Sequence, residues 1–297
     1  MEASGRPLGR VAILGLGVMG GSLARGLSTL DLAERVTGWS PRSTERDAAL
    51  TAGAVGFAAA DWRDAVSDAD LVVMAIPLAA VVDLLPEVLS ATPGEATVTD
   101  VASLKSPPAR AAAASGAGER WIGSHPMVGS EASGFWASRP DLYEGARVWT
   151  VTGAGSDPST AKEDDGGGAP DLHRSRVEDL WRGLGAVPAA VAAEDHDRLM
   201  ELVSHLPQLV SNVLARVLLE AGVDPVQLGP GGRDMTRLAA SNPLMWLDLL
   251  EHASGDLAEA LRALGEGARE AADLVERGDL EGLGRLMQRT RDWQGAS

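Results

Sequence analysis

The stretch with most chemical content is GSHPMVGSEASG at 123–134. There His125 is followed by a proline and then by small residues, which suits an imidazole held stiffly beside a close-fitting ligand. Far upstream, Gly15-Leu16-Gly17-Val18-Met19-Gly20 matches GxGxxG between a strand-like and a helix-like run. In that pattern Gly15 permits a tight turn, Gly17 lets the backbone approach a pyrophosphate, and Gly20 lets helix and strand pack closely. Val18 and Met19 belong to the same turn and are expected to contact the cofactor, and the N-terminus of the helix that follows would face the phosphates. A dinucleotide site and a fixed base in one chain point to hydride transfer with the imidazole as proton acceptor.

An acid at the end of the second strand would bind the ribose of NAD, but Gly38-Trp39-Ser40-Pro41-Arg42-Ser43 holds none. Ser40, Arg42 and Ser43 suit a 2′-phosphate, Arg42 supplying charge, so the pattern favours NADP over NAD; the plain alternative is an Arg42 in solvent. Pro77 closes the buried run Asp70–Pro77, and Ser103 and Lys105 follow the strand ending near Asp100. Carboxyl ends of parallel strands bind ligands, which places Pro77 and Lys105 at the cofactor; a helix N-cap for Ser103 and a solvated Lys105 are the alternatives. Arg233 and Arg237 would share one helix face and suit carboxylates, and Ser130 either lines the substrate pocket or caps a helix. The spacing of His125, His196 and His205 matches no metal-ligand motif, and no metal is expected.

These residues need elements to position them. Residues 10–15, 35–39, 70–77, 97–101, 121–124, 147–152 and 186–192 read as short strands, alternating with helical runs at 22–30, 78–89 and 177–184. That alternation predicts an α/β domain with a parallel, helix-covered sheet. Residues 153–171 lack an apolar anchor and read as a surface loop. From Glu194 the pattern is helical, at 194–222, 243–265 and 267–293, with Pro207 as a kink and Pro243 as a helix start. The expected architecture is a Rossmann-type domain over 1–192 and an all-helical domain over 193–297, with no chain left for a further regulatory domain. Leu199, Val203, Leu206 and Val210, and later Leu247, Leu250, Leu257, Leu261 and Leu264, form stripes that suit an internal core or a partner subunit.

Composition narrows the classes. The chain has 297 residues, 45% hydrophobic, no cysteine and a formal net charge of −16. Disulfides and thiolate metal sites are excluded, and the acidity argues against nucleic acid as a partner. No uninterrupted apolar run reaches the roughly 18 residues of a membrane span, and MEASGRPLGR lacks a signal-peptide core, so a cytoplasmic protein without membrane partners is expected. With a Debye length of about 10 Å at 0.1 M salt, a few local arginines can still govern the binding of an anion.

The segments GLGVMGGS at 15–22, DVASLK at 100–105, SHPMVGSEASG at 124–134, EDHD at 194–197, SHLP at 204–207 and RDMTRLAASNPLMW at 233–246 run in one order over nearly the whole chain. On them the chain resembles the prephenate/arogenate dehydrogenase (TyrA) family. The resemblance implies a Rossmann domain joined to a helical dimerisation domain, a homodimer, and oxidative decarboxylation of a cyclohexadienyl acid. In that reaction hydride leaves the hydroxyl-bearing carbon for the nicotinamide, carbon dioxide leaves the opposite carbon, and the ring becomes aromatic. The resemblance implies His125 as the base, Ser103 as the group that orients it, Arg237 as a carboxylate ligand, and His196 near the domain junction on the substrate side. Many prephenate-preferring members continue SHLP with a second histidine; here stands Gln208, which can hydrogen-bond substrate but carries no charge. Prephenate, giving 4-hydroxyphenylpyruvate, is the expected substrate, with an NADP-linked arogenate dehydrogenase as the alternative. A β-hydroxyacid dehydrogenase would need a catalytic lysine in the second domain, and no lysine follows Lys162. A non-catalytic NADP-binding scaffold would leave His125, Ser103 and Arg237 without work.

Overall fold

Short runs that are apolar on both faces can be satisfied only in a sheet covered on both sides. The computed structural model describes residues 8–129, 132–152, 169–252 and 255–295. In it β1 (Arg10–Leu14), α1 (Val18–Thr29), β2 (Arg35–Trp39), α2 (Ser43–Thr51), β3 (Phe57–Ala59), α3 (Trp62–Val66), β4 (Leu71–Met74), α4 (Leu78–Ala91) and β5 (Thr97–Asp100) build a parallel sheet of order β3-β2-β1-β4-β5. Val11, Ile13, Leu71 and Val73 pack in one layer with Leu23 and Leu27 of α1. Ala12, Leu14, Val72 and Met74 pack in the other with Val81 and Leu85 of α4.

The register fixes the functional edge. Leu14 lies opposite both Trp39 and Met74, and Met74 lies opposite Asp100. Gly15, Ser40, Ala75 and Val101 therefore leave the sheet side by side at its carboxyl edge. Strand order reverses between β1 and β4, the switch point where such sheets open a crevice.

After α5 (Ser106–Ala114), β6 (Ile122–Pro126) runs beside β5 through a parallel bridge between Val98 and Trp121 and a 2.8 Å contact between the hydroxyls of Thr99 and Ser124. β7 (Arg147–Thr152) pairs antiparallel with β6, a departure from the all-parallel expectation, and β8 (Val187–Ala190) pairs parallel with β7. α6 (Ala169–Gly183) reaches back into the segment expected to be a loop, whose residues 153–168 lie outside the described residues.

The remaining chain is helical: α7 (Ala193–Met200), a π-helical turn (Glu201–His205), α8 (Leu206–Glu220), α9 (Pro230–Thr236), α10 (Pro243–Glu251), α11 (Asp256–Glu276) and α12 (Leu280–Gln294). Pro207 has no N–H to give the carbonyl one turn back, and the wider turn just before it accommodates the loss. α11 runs through Gly265 and Gly267, where a break was expected, and ends instead before Arg277-Gly278; Asp279 then accepts from the Gly282 N–H to start α12.

The chain forms two compact units, residues 1–200 with 241–252, and residues 201–240 with 253–297. The division falls after Met200 rather than at 192, and α10 belongs with the first unit, where Leu249 and Trp246 join the α4 layer. In the second unit Val213, Val217, Leu219, Leu280, Met287 and Trp293 are exposed. The helical run Ala193–Glu220 carries an 18-residue window of mean hydropathy 1.3, long and apolar enough to cross a membrane by length and composition, which the absence of an uninterrupted apolar run had not led us to expect.

Candidate active site

Gly15 adopts φ 100°, and a Cβ there would lie 2.2 Å from the Ala75 carbonyl oxygen; one on Gly20 would lie 1.8 Å from the Gly15 oxygen. Neither position admits a side chain. Beside Gly17, by contrast, nothing lies within 4 Å. α1 starts there with no side-chain cap and no acid in its first turn. Uncapped N–H donors at the positive end of a helix, facing open space, are what a pyrophosphate requires, so residues 15–20 fit a dinucleotide. The Tyr143 hydroxyl donates to the Met19 carbonyl at 2.8 Å and pins that first turn. Pro77 caps α4 at the carboxyl end of β4 and is exposed.

The ribose end differs from expectation. Ser40 is buried and donates to Glu45 Oε2 at 2.5 Å, Arg42 Nη2 lies 3.2 Å from Glu45 Oε1, and Arg46 donates to the Ser40 carbonyl at 2.5 Å. Ser43 is the first residue of α2. An acid does stand at this edge, then, but it folds back from the first turn of α2 instead of ending β2. Glu45 Oε1 is buried with no hydrogen bond among the described residues.

Lys105 is corrected outright. It is 0% exposed, and its ammonium pairs with Asp100 and donates to the Ser124 carbonyl at 2.7 Å, so it is turned into the protein and not toward a cofactor at the surface. Asp100 also accepts from Trp121 Nε1 at 3.0 Å and from the Ala102 N–H at 2.9 Å. Burial draws the lysine pKa down and Asp100 opposes the shift. This buried cluster underpins the strand end that carries His125. Ser103, half-buried in the loop before Lys105, has no side-chain hydrogen bond among the described residues.

His125 lies near the end of β6, nearly buried. Its Nδ1 is 2.9 Å from His196 Nε2, and the two rings meet edge to face with centroids 5.1 Å apart. His196 thus lies beside His125, in addition to the orienting role that the resemblance implies for Ser103. His196 Nδ1 lies 2.7 Å from Asp197 Oδ1, and Asp197 accepts the N–H groups of Lys105 and Ser106, the start of α5, each at 2.8 Å. Burial lowers the His196 pKa, with Asp197 opposing. Burial would raise the Asp197 carboxyl, but its hydrogen bonds from His196 and the two backbone amides hold it below the ordinary value.

In the second unit Arg233 donates from Nε to the Leu228 carbonyl at 2.8 Å. Arg237 opens a 3-10 turn, Arg237–Ala240, after α9 ends at Thr236, so the two arginines do not continue one regular helix. Gln208, buried, donates to the Leu238 carbonyl at 2.8 Å and Ser211 accepts the Ala239 N–H at 3.1 Å, which anchors the Arg237 turn on α8. Gln208 Oε1 is buried with no hydrogen bond among the described residues. His205 is buried in the π-helical turn. Ser130 lies outside the described residues. Sequence reasoning missed Glu45, Asp100 and Asp197 as site-building acids; the one available signal was that Asp197 adjoins His196.

The family model for the nucleotide-binding domain of prephenate dehydrogenase matches residues 23–162, and that for the prephenate dehydrogenase dimerization domain matches residues 192–289. The chain is 27% identical over 301 residues to the prephenate dehydrogenase of Bacillus subtilis, covering 96% of this chain and 75% of that one. It is 26% identical over 250 residues to the cyclohexadienyl dehydrogenase of Zymomonas mobilis, covering 81% and 79%. Among solved structures, the prephenate dehydrogenase from A. aeolicus in complex with hydroxyphenyl propionate and NAD+ aligns with TM-score 0.79 and 26% identity over 95% of this chain and 96% of that one. Fold and site together define an NAD(P)-linked oxidoreductase. The chain belongs to the prephenate dehydrogenase family.

Proposed function

We propose that this enzyme oxidises and decarboxylates prephenate to 4-hydroxyphenylpyruvate, with His125 as general base. The observation that carries the reading is the place of His125 on β6, beside β5 at the carboxyl edge where the glycine turn also opens. When bound, the nicotinamide supplies the hydride acceptor. His125 takes the hydroxyl proton as the carbonyl forms, Ser103 offers a hydroxyl hydrogen bond from the β5–α5 loop, and Arg237 holds a substrate carboxylate as a bidentate partner. We read residues 1–192 as serving the cofactor and 193–297 as serving substrate and dimer formation. The exposed apolar side chains of the second unit support a homodimer, with the apolar helical run covered by a second copy rather than by lipid.

For the cofactor we infer NAD. A 2′-phosphate would have to displace the Glu45 carboxylate from Ser40 and Arg42. NADP, which the sequence favoured, is the second reading, supported by the two arginines, Arg42 and Arg46, at that end. Arogenate is the alternative substrate, supported by the uncharged Gln208. Measuring kcat/KM for prephenate and arogenate with each cofactor tests all of this: prephenate with NAD should rank first, and arogenate with NADP ranking first would replace the proposal.

A further inference from the structure

We propose that Asp197 and His196 form an orienting relay that holds His125 in the tautomer with a bare Nε2, His196 being a positioning residue and not a substrate ligand. The inference rests on the reading of His125 as base.

The assignment follows from which atoms can donate. Both Asp197 oxygens already accept backbone N–H groups, from Lys105 and Ser106, and those donors cannot be reversed. The 2.7 Å contact to His196 Nδ1 therefore needs a hydrogen on that nitrogen. His196 is fully buried, and burial together with the nearby Lys105 ammonium disfavours its cation, so Nε2 is bare. The 2.9 Å contact then needs a hydrogen on His125 Nδ1. When the ring is neutral, that hydrogen leaves the His125 lone pair on Nε2, the nitrogen that takes the hydroxyl proton. The proton stays on His125; the new cation faces the Asp197 carboxylate through one neutral ring. The other charges near His196, Lys105 and Asp100, form an ion pair with each other. Because Asp197 also grips the start of α5, the same carboxylate ties the loop carrying Ser103 to the base.

The test is nitrogen NMR of the full-length, histidine-labelled enzyme without substrate at mildly alkaline pH, alongside kinetics of Asp197→Asn. The expected wild-type spectrum shows His125 protonated at Nδ1 and bare at Nε2. In Asp197→Asn the side-chain amide would donate to His196 and reverse the chain, lowering kcat by about 10²–10⁴-fold while KM changes less than about threefold. The acid limb of its kcat/KM profile should move to lower pH, which a purely structural role would not produce. A wild-type His125 protonated at Nε2 overturns the relay, and that spectrum decides the matter even if the variant does not fold. Full kcat in His125→Asn would overturn the base reading instead and leave the tautomer assignment to the spectrum.

Discussion

Lys105 and Asp100 form an ion pair without an exposed atom, and the same lysine holds the carbonyl of Ser124, one residue before His125. Removing one partner of such a pair strands the other charge. Lys105→Met should therefore lose about 3–5 kcal/mol of stability in urea unfolding, with part recovered in Lys105→Met/Asp100→Asn. Normal stability combined with weakened cofactor binding would return Lys105 to the cofactor site.

Glu45 occupies Ser40 and Arg42. Glu45→Gln should raise the NADP-to-NAD ratio of kcat/KM by about tenfold or more, the equivalent of ~1.4 kcal/mol, and adding Arg42→Ala should reverse the gain. An unchanged ratio would remove Glu45 from cofactor selection.

Arg237 is presented by a turn that Gln208 and Ser211 anchor. Losing hydrogen bonds to a charged group worth ~1.5–3 kcal/mol, Arg237→Ala should raise the prephenate KM by about 10–10²-fold with a smaller fall in kcat. Gln208→Leu, which frees the Leu238 carbonyl, should raise KM by a few-fold. Wild-type KM in Arg237→Ala would take that residue out of the substrate site.

Stability should fall on mild acidification. Burial lowers the folded-state pKa of His196 and of His173, whose Nδ1 is 2.8 Å from Thr97 Oγ1. As pH drops through 6.5 the unfolded chain takes up these protons before the folded one, so stability declines from there and levels off below the folded pKa values. A separate loss follows in strong acid, between 3.8 and about 2, where the Arg10 hydrogen bond holds the Asp70 carboxyl down. Thermal melts should show a lower Tm at pH 5.5 than at pH 8; a flat profile would contradict the buried neutral histidines.

The exposed apolar side chains of the second unit should be covered by a second copy of the chain. Sedimentation at micromolar concentration is expected to give a dimer, and Tm should rise with protein concentration. A monomer at all concentrations would contradict this.

Much of the fold is legible in the chain because its strands are short apolar runs bounded by turn residues: β2 and β7 coincide residue for residue with the expected segments 35–39 and 147–152. β3 was not legible, being three residues long and set between Gly56 and Ala60. Gly265 and Gly267 suggested a break that the amphipathic pattern of α11 overrides. The candidate site was legible where a motif is local, as in the glycine turn and His-Pro. It was not legible where partners meet across the fold. Asp197 reaches Lys105 and Ser106 from far along the chain, and His196 reaches His125 likewise, so no spacing rule joins them. Lys105 looked chemical because it follows a strand at the carboxyl edge where such sheets bind ligands; burial beside Asp100 makes it structural.

Steady-state turnover of His125→Asn with prephenate and NAD, together with NAD affinity by titration, bears on the base most directly. We expect kcat to fall by about 10²–10⁴-fold while the NAD Kd stays within about twofold of wild type. Undiminished turnover would show that the proton leaves by another route.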